Sequence, residues 1–304
     1  MTAAREQLLE RIRPVAFAIA YRMLGSVTEA EDVVQEACLR VLGALDGGAR
    51  IESPEAFATT VTTRLAIDEL RSARARRERY VGEWIPEPMV GDAPAGDPAH
   101  AAELADSISL ALLAVLESLS PEQRAVFLLH DVFDYGYGEI AEIVGRSVAN
   151  CRQLAVRARA HVEAERRPRF DPSPEQRAEL GRRFVAAARD GEVEALEALL
   201  AEDVVLQGDG GGKVPALARP VAGRPRVART LAAWSGGLAR MAGGELRPAQ
   251  VNGQPGVLML DGHGGLLAVW SLDICEAQVH SVRSIVNPDK LAHLGRLSEL
   301  MPRL

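Results

Sequence analysis

The part of the sequence that decides the fold is residues 120–162, SPEQRAVFLLHDVFDYGYGEIAEIVGRSVANCRQLAVRARAHV. Ser120-Pro121 is typical of a helix start, with serine as the N-cap and proline in the first turn. This helix is predicted to extend through His130. Helical spacing recurs in residues 137–144 and 148–162, on either side of a Gly-Arg-Ser turn. The pattern therefore predicts a helix, a tight turn and a second helix.

A helix-turn-helix places its second helix in the major groove of DNA, where side chains near the N-terminus reach base edges. Ser147 is expected to cap that helix. Asparagine and glutamine suit adenine, arginine suits guanine, and arginines further along suit phosphates. The side chains expected to contact DNA are Ala149, Asn150, Arg152, Gln153, Arg157 and Arg159. An ordinary helical hairpin has the same pattern, and the sequence alone does not separate the two.

Three helices are predicted at the start of the chain. Pro14 is expected to begin the first, which ends near Leu24. Thr28 followed by Glu31 is a capping-box pattern that predicts the start of the second, running to about residue 42. Ser53-Pro54 predicts the start of the third.

Charge is distributed unevenly along the chain. It has 35 Lys and Arg against 42 Asp and Glu, a net charge of −7, so a uniformly basic nucleic-acid-binding coat is excluded. Residues 80–123 contain eight carboxylates and no Lys or Arg, whereas arginines crowd residues 64–79 and 146–169. Seven glycines and prolines within residues 82–98 predict a linker, after which helix is expected from about Ala101. Two basic segments thus flank an acidic connector.

The last third of the chain has a different pattern. Ser173-Pro174 predicts a helix through about Arg189, and a short helix is expected over residues 192–200. Short apolar runs between glycine-rich turns then predict strands at residues 204–206, 257–260, 266–272 and 279–286. This part is therefore predicted to be an α+β domain.

Composition limits the remaining classes. Three widely spaced cysteines, Cys38, Cys151 and Cys275, indicate neither a disulfide framework nor a cysteine-based metal site. No apolar run approaches the roughly 20 residues of a membrane helix, and charged residues stand where a signal peptide would begin. The expectation is a soluble cytoplasmic protein with no metal, no cofactor and no membrane partner.

Several strings resemble the sigma-70 family of RNA polymerase initiation factors. Residues 30–36, AEDVVQE, resemble the helix that binds core polymerase; residues 57–71 resemble the −10 recognition segment and residues 119–159 resemble region 4, which reads the −35 element. The lack of a region 3 between them resembles the extracytoplasmic-function (ECF) group. Similarity to its subgroup with a SnoaL-like (NTF2-like) C-terminal extension, the sigma-J type, lies in WIPEP at 84–88, DGGGK at 209–213 and NPDKL at 287–291.

The resemblance implies a multidomain fold with two all-α helical domains and an α+β, cone-shaped SnoaL/NTF2-like domain. The implied boundaries are sigma region 2 over 1–80, an acidic linker over 81–105, helix-turn-helix region 4 over 106–168, and the regulatory domain over 172–304. The implied partners are promoter DNA and core RNA polymerase, through its β′ coiled coil and β flap. Residues implied to bind core polymerase are Asp32, Gln35 and Glu36, whose spacing puts them on one helix face. Residues implied to contact the −10 element are Arg50, Arg64, Asp68, Arg71 and Arg74.

The C-terminal extension is implied to regulate the factor in place of a separate anti-sigma protein. Lys213 and Lys290 are the only lysines in the chain. They are expected to anchor the extension to the promoter-binding domains through Glu87 or nearby carboxylates, with Trp84 as an apolar plug. The acidic linker is expected to enter the RNA path of polymerase, because its carboxylates mimic phosphates. The implied interdomain regulatory residues are Trp84, Pro86, Glu87, Asp209, Lys213, Asn287, Asp289 and Lys290.

Two other interpretations remain: a ligand-sensing DNA-binding regulator, and a SnoaL-like cyclase or isomerase fused to a DNA-binding module. Such an enzyme needs a carboxylate and a histidine for proton transfer, and the candidates are Asp261 with His263, and His280. Residues 261–265, DGHGG, are more typical of a hairpin turn. No catalytic residue is therefore predicted, and the chain is interpreted as a non-enzyme. A small-molecule ligand in the C-terminal domain is left open.

Overall fold

The computed structural model describes residues 3–48, 50–77, 79–91, 108–165, 172–240 and 243–300, without the side chains of residues 3–4 and 73–76. The chain forms two compact units. The first combines residues 1–78 with 113–167, and the second combines residues 79–112 with 168–304. Within the described ranges, no helix is both long and apolar enough to cross a bilayer.

Three helices begin the first unit: α1 (Ala3–Leu24), α2 (Val27–Asp46) and α3 (Pro54–Arg77). The prediction that Pro14 begins the first helix is wrong, because Pro14 lies inside α1. Leu8 and Ile12 are buried in the turns before it, so their burial offsets the backbone hydrogen bond that proline cannot make. The helix end predicted at Leu24 is confirmed.

The cap of α2 lies two residues before the predicted one. Ser26, not Thr28, is the N-cap, and its Oγ accepts a hydrogen bond from the Glu29 N–H at 3.1 Å. Ser26-x-x-Glu29 has the same spacing as the pattern at Thr28, so two overlapping signals competed and the earlier one begins the helix. The end predicted near residue 42 is also wrong, since α2 continues to Asp46. The Ser53 cap of α3 is confirmed, with the Ala56 N–H donating to Ser53 Oγ at 3.2 Å.

The helix-turn-helix agrees with the prediction at almost every boundary. It consists of α6 (Tyr137–Val144) and α7 (Val148–Glu165), preceded by α4 (Leu110–Leu116), α5 (Pro121–Phe127) and a π-helical turn (Leu128–Val132). Gly145 ends α6 at a φ of 69°, and Ser147 caps α7 through the Asn150 N–H at 3.2 Å. The π-helical turn was not predicted. The expected helix start at Ala101 lies outside the described residues.

The second unit is α+β, as predicted. Its elements are α8 (Pro174–Asp190), α9 (Val193–Leu199), β1 (Leu200–Asp209), β2 (Val221–Ala222), α10 (Arg224–Arg240), β3 (Glu245–Val251), β4 (Gln254–Leu260), β5 (Leu266–Cys275), β6 (Gln278–Ile285) and α11 (Pro288–Leu291). The six strands form one sheet in the order β2-β1-β6-β5-β4-β3. The β1–β6 pair is parallel and the other pairs are antiparallel.

The sequence analysis missed four elements of this unit: the short strand β2, helix α10, strand β3 and the short helix α11. Helix α10 contains Pro225, Gly236 and Gly237, whose low helix propensity hides its periodicity. Strand β3 contains Pro248, which is tolerated because β3 is the edge strand of the sheet. The core of the unit lies where α8–α10 pack on the sheet, around Phe184 and Trp270, both fully buried.

Candidate functional site

An exposed acidic face lies on α2. Asp32, Gln35 and Glu36 are all exposed there, as their spacing predicted, while Val34 and Ala37 on the opposite side are buried. Glu36 forms an i,i+4 ion pair with Arg40 at 2.7 Å. Because such an exposed pair adds little stability, this face is available to a basic partner.

The N-terminal part of α7 is also open to solvent. Ala149, Asn150, Arg152, Gln153 and Arg157 are exposed. Arg159 is half-buried and donates to Asp131 at 2.7 Å, a hydrogen bond that raises the guanidinium pKa above its ordinary value. The side chains that were predicted to contact DNA from the first two turns of α7 are therefore exposed to solvent. Arg159, further along the helix, is paired with Asp131 of the same unit.

Two arginines of α3 that were predicted to contact DNA bind other helices of the same unit, Arg64 at α6 and Arg71 at α5. Arg64 donates from Nε to the Ile143 carbonyl at 2.9 Å and from an Nη to the Glu142 carbonyl at 2.8 Å. These carbonyls belong to the last turn of α6, where helices leave acceptors unpaired and favour positive charge. The guanidinium of Arg64 therefore caps the C-terminus of α6.

The second of these arginines, Arg71, binds Asp68 at 2.9 Å and Glu122 at 2.7 Å, and Arg146 approaches the same Glu122 oxygen at 3.5 Å. Burial alone would raise the pKa of Glu122, but the hydrogen bond and charge of Arg71 outweigh it and hold this pKa below its ordinary value. Arg50 is exposed, and the side chain of Arg74 lies outside the described residues.

The sequence analysis missed a buried arginine in α5 that binds other residues of the first unit. Arg124 is 1% exposed, and it donates to Glu117 at 2.5 Å and to the Arg22 carbonyl at 3.1 Å. Arg77 also pairs with Glu117 and donates to the Leu24 carbonyl at 2.6 Å. Nothing local marks Arg124 for burial, because an arginine in the first turns of a helix is ordinarily exposed.

In the second unit, the segment that we call the strap (residues 80–91) is held by Asp209 at the end of β1. The Asp209 side chain is fully buried. Its Oδ1 accepts hydrogen bonds from the Tyr80 hydroxyl at 2.5 Å and the Gly211 N–H at 3.0 Å. Its Oδ2 accepts from the Ile85 N–H at 2.9 Å and from Lys290 Nζ at 2.7 Å. One carboxylate thus binds two points of the strap.

Lys290 supplies the cation for this carboxylate. Its side chain is 6% exposed, and Nζ also donates to the Ile85 carbonyl at 2.5 Å. The ammonium lies 4.2 Å from the ring centre of Trp84 and 4.9 Å from that of Tyr80, within cation–π range. Burial, followed by the hydrogen bond to Asp209, raises the pKa of Tyr80 well above its ordinary value. We call Tyr80, Trp84, Asp209, Asn287 and Lys290 the latch.

Four of the eight predicted regulatory residues meet in the latch: Trp84, Asp209, Asn287 and Lys290. Asn287 Nδ2 donates to the Tyr80 hydroxyl at 2.8 Å. Lys213 instead pairs with Asp289 at an exposed position. Pro86 and Glu87 are buried in the strap. The predicted partnership of Glu87 with a lysine stays a prediction, whereas the carboxylate found on Lys290 is Asp209.

Asn252 is a second holding point that the sequence analysis missed. It lies in the β3–β4 turn at a φ of 52° and is 1% exposed. Its Oδ1 accepts from the Met89 N–H and its Nδ2 donates to the Ile108 carbonyl, both at 2.8 Å. The strap also forms a β-bridge between Val90 and Val251. The Asn252-Gly253 pair predicts a hairpin turn, but nothing local predicts its partners.

The histidine and carboxylate pair considered for catalysis forms a turn. Asp261 Oδ1 accepts from the N–H groups of His263 and Gly265, both at 2.8 Å, and Oδ2 accepts from the Ser298 hydroxyl at 2.5 Å. The Ser298 hydrogen bond, followed by the Gly265 one, holds the Asp261 pKa below its ordinary value. This carboxylate therefore stabilises the β4–β5 connection. In the portions of the chain that the structure covers, no cluster of three or more His, Cys, Asp or Glu could hold a metal ion.

Comparisons with known proteins match both units. The family model "Sigma-70 region 2" matches residues 8–76, and "Sigma-70, region 4" matches residues 109–162. The chain is 38% identical to the ECF RNA polymerase sigma factor SigJ of Mycobacterium tuberculosis, over 92% of this chain and 91% of SigJ. It is 35% identical to the probable ECF sigma factor SigI of the same species, over 90% of each chain. The crystal structure of M. tuberculosis SigJ superposes with a TM-score of 0.74, covering 93% of this chain and 96% of SigJ at 35% identity.

Proposed function

Because this chain belongs to the ECF group of sigma-70 RNA polymerase sigma factors, we propose that it directs core polymerase to promoters and that its C-terminal unit restrains this activity by holding the strap. The strap is the chain segment between regions 2 and 4. The observation that carries the proposal is the buried Asp209 carboxylate, which binds Tyr80 and Ile85 of the strap.

The polymerase-binding role falls to the acidic face of α2. Asp32, Gln35 and Glu36 are exposed together, and such a face suits the basic residues of the β′ coiled coil. Region 4 would bind the β flap. The first two turns of α7 would read the −35 element through Asn150, Arg152 and Gln153, because these side chains match base edges in the major groove.

The contacts inside the first unit describe a closed state of the two promoter-binding regions. Arg64 and Arg71, proposed for the −10 element together with Arg50, Asp68 and Arg74, are occupied by α6 and by Glu122. A guanidinium that caps a helix cannot also bind a phosphate with the same donors. Promoter binding therefore requires region 4 to leave α3.

The strap connects this closed state to the C-terminal unit. A connector that is fixed at Tyr80, Ile85 and Met89 is not free to bind elsewhere until these hydrogen bonds break. Release of the strap is therefore proposed to precede binding of core enzyme, and the C-terminal unit acts where a separate anti-sigma protein would. The proposed entry of the acidic linker into the RNA path then follows this release.

The test is transcription in vitro with purified core polymerase. Lys290→Met breaks the latch, and Tyr80→Phe removes only the hydroxyl that binds Asp209 and Asn287. Lys213→Met is the matched control, because its ion pair is exposed. We expect both latch variants to bind core more tightly and to initiate more often than the wild type, with Lys213→Met close to wild type. Equal initiation by all four proteins would show that the latch does not restrain the factor.

A further inference from the structure

A cavity of about 500 Å³ lies inside the second unit, next to the end of β1. Its wall contains Trp234 and Leu238 from α10, Met259 from β4 and Leu267 from β5. Among the residues that the structure describes, no charged side chain lines it, and the polar side-chain groups in its wall are the Ser284 hydroxyl and the Trp234 indole N–H. This volume lies within the range of small-molecule sites in proteins.

One side of the cavity is made by the loop that follows Asp209. Val214 and Leu217 of this loop line the cavity. Its earlier residues face the strap: the Gly211 N–H donates to Asp209, and a Cβ at Gly212 would lie 3.0 Å from the Cβ of Val81. Residues 210–217 therefore contact the cavity with one end and the latch with the other.

The loop is tightly folded between these two contacts. A Cβ on Gly210 would overlap the Val214 carbonyl, and one on Gly211 would overlap the Asn287 amide. Backbone packed this closely moves as a unit, because a shift at Val214 displaces Gly210 and with it the Gly211 N–H. The contents of the cavity and the state of the latch are thereby coupled.

We propose that this cavity binds an uncharged, ring-containing small molecule, and that the bound ligand holds residues 210–217 in place and so keeps the latch closed. The absence of charged groups in the wall disfavours an ionised ligand, which would lose hydration without a counter-charge. The two polar groups of the wall, the Ser284 hydroxyl and the Trp234 indole N–H, can both donate a hydrogen bond and therefore favour a ligand that also carries an acceptor oxygen.

Whether a ligand favours the closed or the open latch depends on which of the two states contains the cavity. A ligand shifts a two-state equilibrium toward the conformation that it binds better. The cavity with its Val214 and Leu217 wall is formed when the loop lies against Asp209, which is the latched state. Ligand binding is therefore expected to slow opening of the latch. Its effect on transcription rests on the proposed function, whereas binding and coupling are measured on the sigma factor alone.

The experiment combines a fluorescent probe with hydrogen exchange on the full chain. The probe is N-phenyl-1-naphthylamine, an uncharged molecule with two ring systems whose emission rises in apolar sites. Exchange is followed at residue level at the Ile85 N–H, which donates to Asp209, and at the Met89 N–H, which donates to Asn252 and serves as the internal reference. At ten times the probe Kd, we expect exchange at Ile85 to slow by about tenfold and exchange at Met89 to change much less.

Leu267→Trp fills the cavity and should abolish probe binding. Leu300→Trp makes the same change at an exposed site of the same unit and should leave binding unchanged. Gly237→Leu fills the cavity from α10, and protection of the β5 and β6 amides checks that each variant is folded. Probe binding that survives both filling variants would overturn the site, and binding without slower exchange at Ile85 would overturn the coupling. A failed transcription test with these results intact would count against the proposed function alone.

Discussion

Lys290→Met should destabilise the second unit far more than the same change at the other lysine of the chain. Lys290 and Asp209 are 6% and 0% exposed at their side chains, so the substitution leaves a buried carboxylate without its cation. Breaking a buried ion pair costs about 3–5 kcal/mol. Asp209 keeps hydrogen bonds from Tyr80, Ile85 and Gly211, which places the expected loss of unfolding free energy at the lower end, ~3 kcal/mol.

Urea unfolding followed by tryptophan fluorescence measures this loss selectively. Trp84, Trp234 and Trp270 are the three tryptophans of the chain, and all belong to the second unit. With an m value of about 2–3 kcal/mol/M, a loss of ~3 kcal/mol lowers the midpoint by about 1 M. Lys213→Met breaks a pair whose side chains are 53% and 63% exposed, and should lower it by less than about 0.5 M.

A second substitution separates the loss of charge from the loss of packing. Asp209→Asn combined with Lys290→Met removes both charges, so most of the stability lost by Lys290→Met alone should return. Equal midpoints for Lys290→Met and Lys213→Met would refute the argument that the Asp209 charge depends on Lys290. A double variant no more stable than Lys290→Met would show that packing of the lysine stem carries the effect.

Three further predictions concern the cap, the phenol and the closed state. Ser26→Ala should cost about 1 kcal/mol of stability, and Thr28→Ala should cost clearly less. Thermal unfolding followed by circular dichroism measures both losses, and a larger loss for Thr28→Ala would show that Thr28 is the N-cap. Because the folded-state pKa of Tyr80 is raised, its contribution to stability is complete below about pH 10, the ordinary tyrosine pKa, and is lost as pH rises further. The wild type should therefore lose unfolding free energy faster than Tyr80→Phe above that pH in urea titrations, and parallel profiles would contradict the shift. Glu122→Gln weakens the contact of Arg71 with region 4 and should raise affinity for promoter DNA by about two- to fivefold in a gel-shift assay, with Glu142→Gln, which keeps the carbonyl bound by Arg64, as the unchanged control.

Local signals predicted the elements whose hydrogen bonds stay within a few residues. The Ser53, Ser120 and Ser173 caps were all placed correctly, since a cap bonds to the N–H three residues later. The turn between α6 and α7 was predicted by Gly145, which adopts a φ of 69° at little cost. The same reasoning failed at Pro14 and Thr28, where burial of neighbouring apolar residues and an overlapping cap decided the outcome.

The sequence analysis named four of the five latch residues but did not predict which of them contact each other. Trp84, Asp209, Asn287 and Lys290 were named from resemblance, and the structure brings them together with Tyr80, which carried no signal of its own. The residues with no local signal are those whose partners lie far along the chain. Arg64 binds carbonyls 78 and 79 residues away, and Asn252 binds Ile108 from 144 residues away.

The sequence by itself determined the caps at Ser53, Ser120 and Ser173, the helix-turn-helix, the α+β class of the last third and the family to which the chain belongs, because caps, turns and motifs are encoded within a few residues. Only the tertiary structure decided which carboxylate Lys290 meets. The parallel register of β1 and β6 pairs Asp209 with Ile285, and the Asp209 carbonyl accepts the Asn287 N–H at 3.0 Å. That register brings the start of α11 beside the end of β1, and burial there then selects the oppositely charged partner, since a buried carboxylate without a cation would be too costly to keep.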